Sequence, residues 1–356
     1  MFYIDHDMIF GLSTAGGHQG EVADATVDIC ESRDIGPMIK WVDDFNVFRF
    51  PIAGDGIVTP FIYAYDLASM KDRISDLNVP WHPNKGQDFK DTVVYVGFLW
   101  DLPARTVSLT ENKRFKFKRR FNDFLRDYRS NRISEKEVLK LSGSLSHIAF
   151  VYTSGRSYLS SLYTFSASFV SKFRPRWVPA SVLSDLAHWS KILDSPFSWV
   201  LAPKRLVIDM DIWVDASTSW GISILIDGFW DAWRLVDGWR SPSRHIGWLE
   251  ALAIELMALT LEAMGIRDAE VVTCSDNTGV IDAFGKGRGR NFMINLSIRR
   301  TDLLLVDNNL SLSLHYVESK DNLADPISRG VLGPKSLQSP YIIALPEELH
   351  PFLVHA

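Results

Sequence analysis

Leu206-Val207-Ile208-Asp209-Met210-Asp211-Ile212-Trp213-Val214 alternates apolar and polar residues and runs into an aspartate, Asp215. That pattern predicts a strand. Residues 221–226 and 230–235 suit two more strands, and 248–264 an apolar helix. A short buried-type strand follows at 270–274, then helices at 277–284 and 291–306, a strand at 311–317 and a helix start at 322–328. The order βββ-α-β-α-α-β-α makes this part an α/β unit.

Four acidic residues stand at unusual places in that order. Asp215 and Asp276 each close an apolar strand, Glu250 lies in the first turn of the apolar helix, and Asp325 opens the last helix. Taken singly, each has a plain structural role as a turn residue, a cap or a partner of the helix dipole. Taken together they conflict, because clustered carboxylates repel and one must stay protonated unless a cation intervenes. Magnesium binds through carboxylate oxygens and water. Two ions about 3.5–4 Å apart stabilise both the attacking and the leaving oxygen of a phosphodiester displacement.

The spacings of 35, 26 and 49 residues, set in that order of elements, resemble the ribonuclease H domain of retrotransposon reverse transcriptases. Ala324-Asp325-Pro326-Ile327-Ser328-Arg329 resembles the A-D-x-x-S-R ending of such domains. The resemblance covers about residues 206–330. It implies a mixed five-stranded sheet with helices, and Asp215, Glu250, Asp276 and Asp325 as catalytic ligands of two Mg²⁺ or Mn²⁺ ions. Many members carry a histidine in the loop before the last carboxylate. Here that loop is Glu318-Ser319-Lys320-Asp321-Asn322.

Upstream, Trp41-Val42-Asp43-Asp44-Phe45 sits between two predicted strands, 38–42 and 46–50, after a Gly-rich stretch at 10–20 and a predicted helix at 21–30. A helical segment around 67–77 and a β-rich strand at 92–100 follow. An aspartate pair between strands is often a tight turn. In this order, Phe10-Gly11-Leu12, the Asp43-Asp44 hairpin, Asn84-Lys85 and Tyr95-Val96-Gly97-Phe98 resemble the later palm motifs of a reverse transcriptase. By that resemblance Asp43 and Asp44 are metal-site residues, Lys85 lies near the incoming pyrophosphate, and Gly11 belongs to the same remnant. The earlier palm aspartate and the fingers have no counterpart before Phe10. The expectation is therefore a fragment or truncated gene product that does not polymerise and has lost flanking polyprotein domains.

The four expected parts are a partial palm (1–110), a helical basic thumb or connection (111–203), a ribonuclease H-like domain (204–330) and an extended tail (331–356). The tail carries prolines at 334, 340, 346 and 351.

The net charge of −5 hides a local excess. Residues 111–176 hold 15 Lys/Arg against 5 Asp/Glu. Lys113, Arg114, Lys116, Lys118, Arg119 and Arg120, interleaved with phenylalanines, suit either a solvated helix face or a phosphate-contacting surface. The resemblance implies the second, with an RNA–DNA hybrid as partner.

With 46% hydrophobic and 12% aromatic residues, the 356-residue chain is not disordered as a whole. It holds no apolar run near the roughly 18 residues of a membrane span and no signal-peptide start. Two cysteines exclude a disulfide framework. An intracellular location, cytosolic or nuclear, is expected. The function expected is metal-dependent cleavage of the RNA strand of RNA–DNA hybrids. The alternatives are an inactive nucleic-acid-binding remnant, or an RNA-directed DNA polymerase if another chain supplies the missing palm and fingers.

Overall fold

A computed structural model of the chain describes residues 15–79, 81, 82, 86–171, 174–201, 203 and 205–356. The chain divides into two compact units, Met1–Lys113 and Arg114–Ala356.

In the first unit, α1 (Ala15–Ser32) leads into a hairpin of β1 (Met38–Trp41) and β2 (Asp44–Val47). Trp41 pairs with Asp44, so the turn is Val42-Asp43 alone, with Val42 at φ 57°. This register is tighter than the sequence pattern indicates and draws Asp44 into the second strand. α2 (Leu67–Arg73) starts on a capping box between Asp66 and Ser69. The run at 92–100, expected as one strand, is instead two: β3 (Thr92–Tyr95) and β4 (Phe98–Asp101), antiparallel across Val96-Gly97. A two-residue hairpin loop needs positive φ at its centre. Gly97 supplies it at 78° beside Val96 at 49°. β5 (Thr106–Leu109) continues the meander. A small core of Cys30, Ile35, Met38, Tyr65, Met70 and Ile74 holds α1, β1 and α2 together.

The second unit opens with helices α3 (Glu111–Ser130), α4 (Glu135–Ile148), α5 (Ser160–Ala167) and α6 (Ala180–Asp194), then a short strand, β6 (Ser198–Val200). Phe117, Phe121 and Phe124 are buried on α3. Their spacing puts them on one stripe of the helix. These three phenylalanines are therefore the core side of an amphipathic helix whose other side is basic, while Phe115 stays exposed on that basic side.

The remainder is β7 (Leu206–Ala216), β8 (Gly221–Ile226), β9 (Phe229–Leu235), α7 (Ile246–Ala263), β10 (Ala269–Ser275), α8 (Thr278–Gly285), α9 (Phe292–Asp307), β11 (Ser311–Tyr316), α10 (Asp325–Ser328) and β12 (Leu353–His355). The strands form one mixed sheet in the order β11-β10-β7-β8-β9-β12. β7, β8 and β9 are an antiparallel meander, while β10 and β11 run parallel to β7. Five of these strands, with their helices, are the ribonuclease H-like α/β arrangement expected from the sequence. The sixth comes from the proline-rich C-terminal segment, which the sequence indicates only as an extended tail. That segment docks: Trp230 Nε1 donates to the Pro334 carbonyl (3.0 Å), the Ser339 amide donates to Trp230 O (2.8 Å), and Leu349 and Leu353 are buried. A three-residue strand without alternation leaves no periodic signal.

α7 is buried nearly all round because it lies between β7 and β8 on one side and α9 on the other. A helix in that position is apolar on every face. Two buried acidic residues, Glu250 and Glu255, break that rule. The helical segment and the sheet belong to the same unit, joined where Arg299 of α9 donates to Asp185 of α6 (2.8 Å) and to the Ser157 carbonyl (2.9 Å). Among the described residues, no helix is long and apolar enough to cross a membrane.

Candidate metal centre

β7 brings Asp215 to the centre of the sheet by way of an irregularity. Val272 of β10 pairs with Asp209 and the next residue, Thr273, with Ile212, so Met210 and Asp211 bulge out. Asp211 adopts φ 49°, and its amide donates to the Asp209 carboxylate (3.1 Å). Asp tolerates this left-handed geometry because its short side chain bonds locally. Bulges of this kind re-aim the residues that follow. Asp276 follows the last residue of the neighbouring β10, and Asn277 caps α8 through the Val280 amide. Glu250 reaches the same place from the first turns of α7.

Asp215, Glu250 and Asp276 each offer an oxygen within 4.8 Å of the others. Asp215 is 3% exposed and Glu250 4%. Asp215 Oδ2 and Glu250 Oε2 are buried without a hydrogen-bond partner. Buried polar atoms are rarely left in that state. Five residues further along α7, Glu255 is equally buried, but Arg300 of α9 forks onto it, with Nη2 to Oε2 at 2.9 Å. One buried glutamate on this helix has its cation in the protein, and the other does not. Two orphaned carboxylate oxygens beside a third carboxylate are the donor set that suits a hard divalent cation.

Burial pushes the Asp215 carboxyl up to about 7, with the Ser328 hydroxyl and the Arg329 charge offsetting a part and the charges of Asp276 and Asp325 adding to it. Burial likewise pushes Glu250 up to about 9, with Asp215 and Asp276 adding to it and the Ala216 amide offsetting a part. In the unfolded chain these groups titrate near 3.8 and 4.5, so in between the folded chain holds more protons. Their contribution to stability is complete below about pH 4 and is lost as pH rises through 7 to 9. Glu250→Gln removes the larger part of that loss. In EDTA its melting temperature is expected to gain on wild type as pH rises from 5 to 9, and saturating Mg²⁺ is expected to abolish the gain. Parallel melting curves would contradict this.

Asp325 lies close enough to act on Asp215 electrostatically but does not belong to the trio. Its carboxylate is held by Arg329, one turn later, through Nε to Oδ1 (3.0 Å) and Oδ2 (2.9 Å) and Nη2 to Oδ1 (2.7 Å). The turn after α10 is fixed by Gly330 at φ 91°, where a β-carbon would meet the Trp220 ring at 2.8 Å.

Asn322 and Arg329 form part of the sequence motif but carry no role in a reading of sequence alone. Asn322 is 3% exposed. Its Nδ2 donates to the Val214 carbonyl (3.1 Å) and to Asp215 Oδ1 (3.3 Å), and its Oδ1 accepts the Ala324 amide (3.1 Å). It thereby fixes one oxygen of Asp215 and leaves the other facing the trio. Partners that orient a ligand in this way are worth about 10–100-fold in metal affinity. Asn322→Ala is expected to weaken Mn²⁺ binding by that order while the folded chain persists, as read by calorimetry and circular dichroism.

The other predicted residues are scattered. Asp43 and Asp44 are exposed on the β1–β2 hairpin, where the Tyr95 hydroxyl donates to the Asp44 carbonyl (3.3 Å). They join no group of three metal-ligating side chains among the described residues. Gly11 and Lys85 lie outside the described residues. Of the basic set, Lys118 pairs with Asp194 (3.0 Å), and Arg120 turns inward to the Ser144 hydroxyl (2.5 Å) and the Lys140 carbonyl (3.3 Å). Lys113 lies over the Gly97 turn, where a β-carbon would strike its ammonium group. Arg114 stacks 5.2 Å from the Phe115 ring, and Lys116 and Arg119 are exposed. In the loop after α8, Lys286 pairs with Asp282 and Arg288 stacks 5.0 Å over Tyr163.

No family model and no curated protein matches the chain. Among solved structures, it is similar to the foamy viral protease-reverse transcriptase in complex with RNA/DNA hybrid, at TM-score 0.39 and 12% identity over 90% of this chain and 40% of that one. A second is the foamy viral protease-reverse transcriptase dRH in complex with double-stranded DNA, at TM-score 0.34 and 12% identity over 83% of this chain and 48% of that one. The chain thus spans less than half of either.

Proposed function

We propose that this chain is a metal-dependent endonuclease that cleaves the RNA strand of RNA–DNA hybrids. The observation that carries the reading is the trio of Asp215, Glu250 and Asp276, its first two members buried and each with an oxygen that has no hydrogen-bond partner among the described residues. The donor set is all-carboxylate, which suits Mg²⁺ or Mn²⁺. Divalent ions at such a centre supply a Lewis acid and an activated water for phosphodiester hydrolysis.

The chain's own residues do the rest. Asp215 and Glu250 lose protons that burial otherwise keeps on them, so binding of the ion is coupled to proton release. Asn322 holds Asp215 in one orientation, and Asp276 completes the set from the adjacent strand. Asp325, at the rim, would act in a second ion site. Lys116, Arg119 and Arg114 on α3 offer positive charge to a phosphate backbone, and such contacts make binding fall steeply with salt. Discrimination of hybrid from DNA duplex would rest on A-like shape and 2′-hydroxyl contacts.

The hold of Arg329 on Asp325 favours a second reading, a nucleic-acid-binding chain whose nuclease centre is inactive. Fluorescence anisotropy with labelled hybrid, run beside a cleavage assay in Mg²⁺, separates the two. Binding with cleavage supports the nuclease, and binding alone supports the inactive chain. Extension of a primer on an RNA template would establish polymerase activity, for which Asp43 and Asp44 are the candidate ligands.

A further inference from the structure

Arg329 is bonded to a carboxylate that belongs by position to the metal centre, yet it is not a buried structural arginine. Its side chain is 58% exposed, while Asp325 is 24% exposed. The guanidinium makes three hydrogen bonds to Asp325 and also senses the charges of Asp215 and Asp276. It is thus a solvent-exposed cation beside an anionic cluster, holding the one carboxylate of four that stands outside the trio. A guanidinium fork fits a phosphate as well as it fits a carboxylate.

We propose that Arg329 is an exchange residue: in the free chain it neutralises Asp325, and in the complex it moves to a phosphate of the substrate and releases Asp325 to the metal centre. Substrate binding would then complete the ion site, and without nucleic acid the centre would hold only the ion bound by the trio. This rests on the nuclease reading and deepens it, making Arg329 a positioning residue. No bond is formed or broken in the exchange; one ion pair replaces another. The fixed backbone of Asp325 and Arg329, four residues apart around α10 and stopped by Gly330, leaves side-chain rotation as the motion required.

The test uses the full chain and two readouts that do not depend on turnover. The first is calorimetric titration with Mn²⁺ alone on wild type, Arg329→Gln, Arg329→Lys and the double variant Arg329→Gln/Asp325→Asn. Arg329→Gln is expected to gain a second bound ion or at least several-fold tighter binding. Arg329→Lys, which keeps charge but not the fork, is expected to fall between it and wild type, and Asp325→Asn is expected to erase the gain. The second readout is hybrid binding by anisotropy in EDTA over a range of salt. There Arg329→Gln is expected to reduce the slope of log K against log salt by about 1, the loss of one phosphate contact.

A changed slope with unchanged Mn²⁺ binding would make Arg329 a plain phosphate contact and overturn the exchange. Changed Mn²⁺ binding with an unchanged slope would overturn it too, because no phosphate would have taken the guanidinium. If wild type binds Mn²⁺ at the trio and neither readout responds, the exchange fails while the nuclease reading stands. If wild type binds no Mn²⁺, the nuclease reading itself fails.

Discussion

Asp215→Asn is expected to lower the rate of hybrid cleavage about 10³-fold or more in Mg²⁺, with hybrid affinity unchanged. The substitution keeps shape and burial but replaces a metal-ligating oxygen with an amide and removes one of three negative charges. Metal-ion stabilisation of a displacement is worth several kcal/mol, and each 1.36 kcal/mol is tenfold in rate. The trio comes from β7, α7 and the end of β10, and the exposed basic residues from α3, so binding and chemistry rest on different elements. Because the free carboxyl is pushed up to about 7 by burial, the variant is also expected to be at least as stable as wild type without metal. Single-turnover cleavage and anisotropy on the same preparation check both halves. Equal rates for variant and wild type would remove Asp215 from the centre.

A second large effect is expected at the junction of α6 and α9. Asp185 of α6 and Arg299 of α9 are 3% and 10% exposed and meet through one hydrogen bond of 2.8 Å. Arg299 also lies over the Tyr158 ring, 3.9 Å from its centroid, and its Nε is buried without a partner. Burial raises the Asp185 carboxyl more than the guanidinium lowers it. The two halves of the pair are therefore not equivalent. If Arg299 is removed, Asp185 can take up a proton; if Asp185 is removed, the arginine cannot discharge. Asp185→Ala is expected to cost about 3–5 kcal/mol, the range for orphaning a buried charge, and Arg299→Met distinctly less. Urea denaturation of both variants checks the order. A transition that stays single would show that the helical segment and the sheet unfold together, and equal costs would contradict the asymmetry.

Much of the sheet domain was legible in the sequence, because its elements carry strong local signals. The alternation from Leu206 to Val214, the largely apolar run of α7 and the helix starts at Asn277 and Asn291 each announce an element with boundaries close to those observed. The acidic residues stood out for the same reason: a Glu inside an apolar helix contradicts its surroundings. The sequence singled out Glu250 through its resemblance and left Glu255 without a role. Both are buried, and only the arrival of Arg300 from α9 makes one of them structural.

Arg329 posed the converse problem, since it lay in a recognised motif while its partner was visible only in three dimensions. The phenylalanines among the basic residues of α3 suggested a nucleic-acid surface. Three of them, Phe117, Phe121 and Phe124, are core residues, and Lys118 and Arg120 are engaged within the unit. β12 and the β3–β4 turn were missed because short strands depend on pairing partners rather than on their own composition.

Three carboxylates, from β7, α7 and the end of β10, would hold the divalent ions that hydrolysis of the RNA strand requires. The most direct measurement is cleavage of a hybrid carrying distinct end labels on its RNA and DNA strands, in Mg²⁺ and in EDTA, with wild type beside Asp276→Asn. Wild type is expected to give Mg²⁺-dependent fragments of the RNA strand and to leave the DNA strand intact, and the variant to give no fragments. RNA cleavage that survives in EDTA, or that Asp276→Asn leaves unchanged, would contradict it.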